Sequence, residues 1–166
     1  MSRHSKRDLF LETMTASREF TSAVDVVNQI VAEGMGVNRT DHRLLEILNR
    51  KGAMTAGDLA KAGHLTTGAV TAVVDRLEEV GFVRRVRDSE DRRRVLIERT
   101  PESTKSAMRY YGPFMSRAFQ WMEKYTAAEL EVIRDFLRAA AELSDEYAKE
   151  LRAQAAADPP GAAETG

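Results

Sequence analysis

The stretch Thr66-Thr67-Gly68-Ala69-Val70-Thr71-Ala72-Val73-Val74-Asp75-Arg76-Leu77-Glu78-Glu79-Val80-Gly81 reads as one capped amphipathic helix. At about 100° per residue, Val70, Val73, Val74 and Leu77 share one face. Thr67, Gly68, Thr71 and Asp75 cluster on the opposite face, with Ala72 at its edge. Thr66 or Thr67 supplies the cap; with Thr66 in that role, Leu65 and Val70 stand where a hydrophobic staple forms. Gly81 stands at the usual closing position. Thr67 and Thr71 are short, so their hydroxyls reach base edges or phosphates only where the backbone comes close. Gly68 permits that approach, and the helix N-terminus adds amide donors for a phosphate. Taken alone, the same residues read equally well as a cap and a turn.

The sequence that follows changes period. Phe82 to Arg87 and Val95 to Arg99 are short runs rich in β-branched residues, separated by Asp88-Ser89-Glu90-Asp91-Arg92-Arg93-Arg94. That pattern predicts a β-hairpin with a long charged tip. Between Arg84 and Arg94 stand six Arg and three acids, a local charge of +3. Consecutive arginines Arg92, Arg93 and Arg94 at such a tip suit a narrow minor groove, where negative potential is concentrated. Asp91, two residues before Arg93, is placed to orient that guanidinium by a bidentate pair. A solvated hairpin with weak surface ion pairs is the alternative. The adjoining helices favour DNA.

Upstream, Thr40 is expected to cap a helix carrying Leu44, Leu45 and Leu48 that ends at Lys51-Gly52. Thr55 caps the next, with Asp58 in its first turn, and Gly63-His64 breaks it. Two short helices, a tight turn, a third helix and a charged hairpin make a winged helix-turn-helix. A longer helix precedes them, from about Asp8 to Glu33, with Phe10, Met14, Val24, Val27, Val31 and Met35 at helical spacing and Gly34 and Gly36 as its stop. Downstream, Thr100-Pro101-Glu102 opens a helix that Gly112-Pro113 either kinks or divides. Thr126 and Glu129 form a capping box at the start of a last helix reaching about Gln154. The tail from Ala155 is rich in Ala, Pro and Gly and is expected to be disordered. The fold class is mainly α with a small β-hairpin wing. Its expected division is an N-terminal helix in 1–36, a winged lobe in 37–100, C-terminal helices in 101–154 and a tail in 155–166.

A length of 166 residues suggests one domain, or one domain with extensions. The absence of cysteine excludes a disulfide scaffold, zinc-ribbon chemistry and thiol sensing. Its 25 Lys and Arg against 26 Asp and Glu exclude a uniformly basic coat for nucleic acid. The near-neutral total conceals a polarity, because the basic hairpin is set against ten acids and five bases from Glu123 onward. No segment approaches the roughly 18–20 apolar residues of a membrane span, and Met1 to Asp8 is polar, so a cytoplasmic protein without a membrane partner is expected. Phosphate-binding glycine loops, nucleophile elbows and metal-ligand clusters are missing, so neither an enzyme nor a cofactor is expected. His42 and Glu46 make only two ligands and read as a satisfied histidine and its neighbour; His4 and His64 add nothing convergent.

The run Val73-Val74-Asp75-Arg76-Leu77-Glu78-Glu79-Val80-Gly81-Phe82-Val83-Arg84-Arg85, then Asp88-Ser89-Glu90-Asp91-Arg92-Arg93 and Thr100-Pro101-Glu102, closely resembles the MarR family of bacterial transcriptional regulators. By motif the resemblance covers Thr40 to Ser103, and by architecture most of the chain. Its most specific element is Asp91-x-Arg93. The resemblance implies that Arg93 enters the minor groove and Asp91 holds it. It also implies an obligate homodimer, with first and last helices interleaved and two lobes on neighbouring half-sites of a pseudo-palindrome.

Independently, Phe114, Met115, Ala118, Phe119, Trp121 and Met122, with Val132, Ile133, Phe136 and Leu137, supply more apolar surface than a winged domain needs. Core or dimer interface is preferred for them over a cofactor box. The resemblance further implies a small aromatic or phenolic effector in a cleft between dimer helices and lobe, for which helix order suggests Val24, Val27, His42, Leu45 and Tyr110.

The expected function is a dimeric, sequence-specific, ligand-responsive regulator of double-stranded DNA, a repressor in preference to an activator. Thr66, Thr67, Gly68 and Thr71 form its helix site, and Asp91, Arg92, Arg93 and Arg94 its wing. Arg84 and Arg85 touch phosphates or anchor the hairpin; Arg76 binds a phosphate or pairs with Asp75 or Glu79. A winged scaffold whose Arg tip meets an acidic protein, and a non-specific architectural DNA binder, are the competing readings.

Overall fold

The computed structural model describes residues 5–157; His4 and the tail from residue 158 lie outside them. In chain order the elements are α1 (Lys6–Gly34), α2 (Arg39–Lys51), β1 (Met54–Thr55), α3 (Ala56–Gly63), α4 (Thr67–Glu79), β2 (Val83–Arg87), β3 (Val95–Arg99), α5 (Pro101–Met122) and α6 (Ala127–Ala157).

Local side-chain chemistry sets most of these boundaries. Ser5 and Asp8 form a capping box on α1. Thr55 and Thr66 each accept a backbone N–H three residues on, which starts α3 and α4. The cap of α2 is Asn38, whose Oδ1 accepts the Asp41 N–H at 2.9 Å. Thr40, the expected cap, lies inside the first turn, because Asn38 already holds the extended backbone a cap requires. Thr126 and Glu129 cap α6 reciprocally, and the Thr126 N–H holds the Glu129 carboxyl below the usual carboxylate range. That helix runs to Ala157, three residues beyond the end expected at Gln154. Gly112-Pro113 does not divide α5, which is continuous from Pro101 to Met122.

Three strands form an antiparallel sheet in the order β1-β3-β2. The hairpin pairs Val83 with Arg99 through Arg87 with Val95, and β1 adds Met54 beside Ile97. Sequence reading missed β1, whose two residues are too short to show alternation.

The chain divides into two compact units, one ending at Met115 and the next beginning at Ser116. The first has a core of Val31, Leu44, Leu45, Leu48, Leu59, Val70, Val73, Val74, Leu77, Val83 and Ile97, among others. Burying the four apolar residues of α4 contributes about 1.5–3 kcal/mol each. That burial fixes which face of α4 looks outward. In the second unit, Trp121 and Tyr125 meet edge-on at 5.5 Å, with the Lys124 ammonium 4.6 Å from the Trp121 ring. No residue of α6 with a described side chain is buried. Among the described residues, no helix is long and apolar enough to cross a membrane.

Candidate nucleic-acid interface

The turn from α3 to α4 rests on two different backbone devices. His64 adopts a left-handed conformation (φ 53°), and the Leu65 N–H donates to the Ala60 carbonyl, closing α3. Gly63 is needed for space instead, because a Cβ there would stand 2.8 Å from Leu44 Cδ2. The far end of α4 closes similarly: Gly81 (φ 74°) turns the chain and the Phe82 N–H donates to the Leu77 carbonyl at 2.8 Å.

The outward face of α4 carries Thr66, Thr67, Gly68, Thr71, Ala72 and Asp75, all exposed. Thr71 Oγ1 donates to the Thr67 carbonyl at 3.0 Å, so its hydroxyl keeps only acceptor capacity for a further partner. A Cβ on Gly68 would meet nothing within 4 Å. No neighbour in this chain requires glycine there.

Acids on this helix would repel a phosphate backbone, and the hairpin deals with two of them. From β2, Arg85 donates to Asp75 at 2.5 Å through Nη2 and to Glu78 through Nη1, and its own N–H also donates to Glu78. The Asp75 carboxylate leads in holding the Arg85 guanidinium above its ordinary range. Arg85 therefore ties β2 to α4 and offsets part of the acidic charge of that helix. Arg84 is likewise paired, across the strands with Glu98 at 3.0 Å.

Arg76 pairs with neither Asp75 nor Glu79. Its Nη2 and Nε donate to the two oxygens of Asp41 on α2, at 2.6 and 3.2 Å. The Asp41 side chain is 5% exposed and that of Arg76 is 49% exposed. Sequence reading missed Asp41, because its only local signal is an acid in the first turn of a helix and its partner lies 35 residues away.

The tip of the wing is shaped by its acids. Asp88 accepts the Glu90 N–H and Asp91 accepts the Arg93 N–H, two Asx turns in succession. Asp91 Oδ1 also receives Arg93 Nε at 3.3 Å. The expected bidentate pair is thus a contact through one carboxylate oxygen that also holds the backbone. The Arg93 side chain is 92% exposed. Arg94 lies 3.6 Å from Asp88, and the Arg92 carbonyl accepts from Arg87.

The expected effector residues are not alike. Leu45 is 1% exposed, within the core of the first unit. Val24 and Val27 are half-buried on α1. Tyr110 is exposed and donates to the Gly34 carbonyl at 2.7 Å. His42 is buried, and burial pushes its pKa down; its Nε2 lies 3.3 Å from Tyr111 Oη, which donates to Asn28 Oδ1 at 2.7 Å. Tyr111 and Asn28 were not singled out by sequence, since neither has a periodic or spacing signal. Among the described residues, no group of three or more His, Cys, Asp or Glu is placed to hold a metal ion.

A sequence model of the MarR family matches residues 37–95, the lobe that carries these features. The chain is 36% identical over 150 residues to the uncharacterised HTH-type transcriptional regulator YcgE of Bacillus subtilis, covering 90% of this chain and 97% of that one. It is 25% identical over 127 residues to the HTH-type transcriptional repressor YetL of Bacillus subtilis, covering 75% of this chain and 74% of that one. Among solved structures it superposes on Streptococcus pneumoniae FabT, crystallised in complex with DNA, with a TM-score of 0.64 at 16% identity, over 83% of this chain and 99% of that one. A winged lobe with an outward-facing α4, matched over nearly the whole length of a regulator, makes this chain a member of the MarR family of helix-turn-helix transcriptional regulators.

Proposed function

We propose that the protein is a homodimeric, sequence-specific DNA-binding repressor that reads a pseudo-palindromic operator. The observation that carries this reading is the outward face of α4. Thr67, Gly68 and Thr71 stand exposed around a glycine that the chain's own packing does not demand. Thr66 caps that end, Arg76, Arg84 and Arg85 flank it, and Asp91, Arg92, Arg93 and Arg94 make the wing that approaches the minor groove. The name of YetL supports repression in preference to activation.

Dimerisation is supported by what the isolated chain leaves uncovered. Phe10, Phe20 and Ile30 on α1, Phe114, Met115 and Phe119 on α5, and Val132, Phe136 and Leu137 on α6 are all exposed. In this reading 1–36 and 101–154 serve assembly and 37–100 serves DNA. A dimer places two α4 helices about one duplex turn apart. An aromatic or phenolic effector is part of the proposal, held near Val24, Val27, His42, Leu45 and Tyr110.

Two measurements test it. Sedimentation equilibrium should give twice the chain mass, and anisotropy titration of labelled genomic fragments should give saturable binding that weakens as salt rises. A monomer, or binding indifferent to salt, contradicts the proposal; the latter favours a winged scaffold.

A further inference from the structure

Arg76 uses its Nε and one Nη2 hydrogen on Asp41. Guanidinium carries five N–H donors in a rigid plane, so the opposite edge of the fork keeps three. The carboxylate end of this pair is covered and the guanidinium end is half exposed. Asp41 is thus a fixed socket on α2, reached across 35 residues of sequence, and Arg76 is the plug whose outer edge faces solvent. Along α4, Arg76 flanks the exposed Thr67, Gly68 and Thr71 face and lies on neither that face nor the apolar one.

We propose that Asp41 is a positioning residue for DNA binding: it locks the Arg76 guanidinium so that its outward edge takes a backbone phosphate beside the α4 reading face. The inference rests on the DNA-binding reading above. Without the socket, Arg76 keeps its charge but loses its fixed plane, and ordering the side chain then opposes binding. The sign is diagnostic. Asp41→Asn removes a negative charge from the lobe, which simple charge counting says should tighten DNA binding, whereas the socket role requires it to weaken.

The test is a double-mutant cycle of Asp41→Asn, Arg76→Gln and both together, read by anisotropy across a salt series. The probes are a duplex recovered by selection and a duplex of mixed sequence, and thermal melts report folding. Asp41→Asn is expected to weaken both probes about tenfold and to lower the salt slope by about 0.9 for each phosphate that is no longer neutralised. The double variant should bind no more weakly than Arg76→Gln alone, since Asp41 acts through Arg76. That variant also carries no orphaned buried charge, so it keeps the proposal falsifiable if either single variant fails to fold. A folded Asp41→Asn protein with unchanged or tighter binding, additive effects, or a double variant with wild-type affinity and slope overturns the proposal. Wild-type protein that binds neither duplex overturns the DNA-binding reading itself and this proposal with it.

Discussion

Replacing Gly68 by Ala separates the needs of the fold from those of DNA recognition. Gly68 is the second residue of α4, has no positive φ, and a Cβ there meets nothing within 4 Å. In a helix interior Ala gains roughly 0.5–1 kcal/mol over Gly, and less in the first turn. The melting temperature should therefore hold or rise slightly. On DNA the new methyl occupies the gap through which the backbone approaches, lifting the first-turn amides away from their acceptor. Losing one hydrogen bond to a charged group costs about 1.5–3 kcal/mol, roughly 10- to 150-fold in affinity for each lobe. Calorimetric melts and anisotropy titrations on one preparation give both numbers. A protein at least as stable as wild type that binds tenfold or more weakly fits the reasoning. Unchanged or improved affinity would refute it, because the glycine would then have no outward purpose.

Arg93→Ala should leave stability within about 0.5 kcal/mol, since its side chain is 92% exposed, yet cost about 1–3 kcal/mol of operator affinity per wing; intact binding at physiological salt removes the wing assignment. Gly63→Ala drives a Cβ to 2.8 Å from Leu44 Cδ2, and Leu44 is fully buried, so overpacking of about 1–3 kcal/mol should lower the melting temperature by several degrees; an unchanged melt contradicts the close approach. Burial holds the pKa of His42 below its ordinary 6.5, with Glu46 raising it and Arg99 lowering it further. The unfolded chain therefore takes up a proton near pH 6.5 that the folded chain declines, so stability should fall as pH drops from about 6.5 toward the depressed value. Melts at several pH values should show that slope in wild type and lose it in His42→Gln; an equal slope in both assigns the effect elsewhere.

What was legible in sequence was whatever chemistry acts within a few residues. Val70, Val73, Val74 and Leu77 declared the buried face of α4 by spacing alone, and all four are buried. Thr55, Thr100 and the Thr126–Glu129 pair declared helix starts through bonds spanning three residues. Asn38-Arg39-Thr40-Asp41 holds several side chains able to cap, and only backbone conformation chose Asn38. The pairs that cross the fold were not legible. Asp41 with Arg76, and Tyr111 with His42 and Asn28, join helices far apart in sequence, and each residue taken singly resembles an ordinary surface polar group. Arg85 shows the limit within the site: its sequence position fits a phosphate ligand and an anchor alike, and nothing local announces that Asp75 and Glu78 converge on it.

The most direct test of the central claim is selection of bound duplexes from a random pool by the full-length protein, followed by sequencing. One two-fold-symmetric site should be enriched, with half-site centres about one duplex turn, 10–10.5 base pairs, apart. Recovery of no enriched sequence, despite binding, contradicts sequence-specific recognition. Enrichment of a single half-site without its symmetric partner contradicts the dimer.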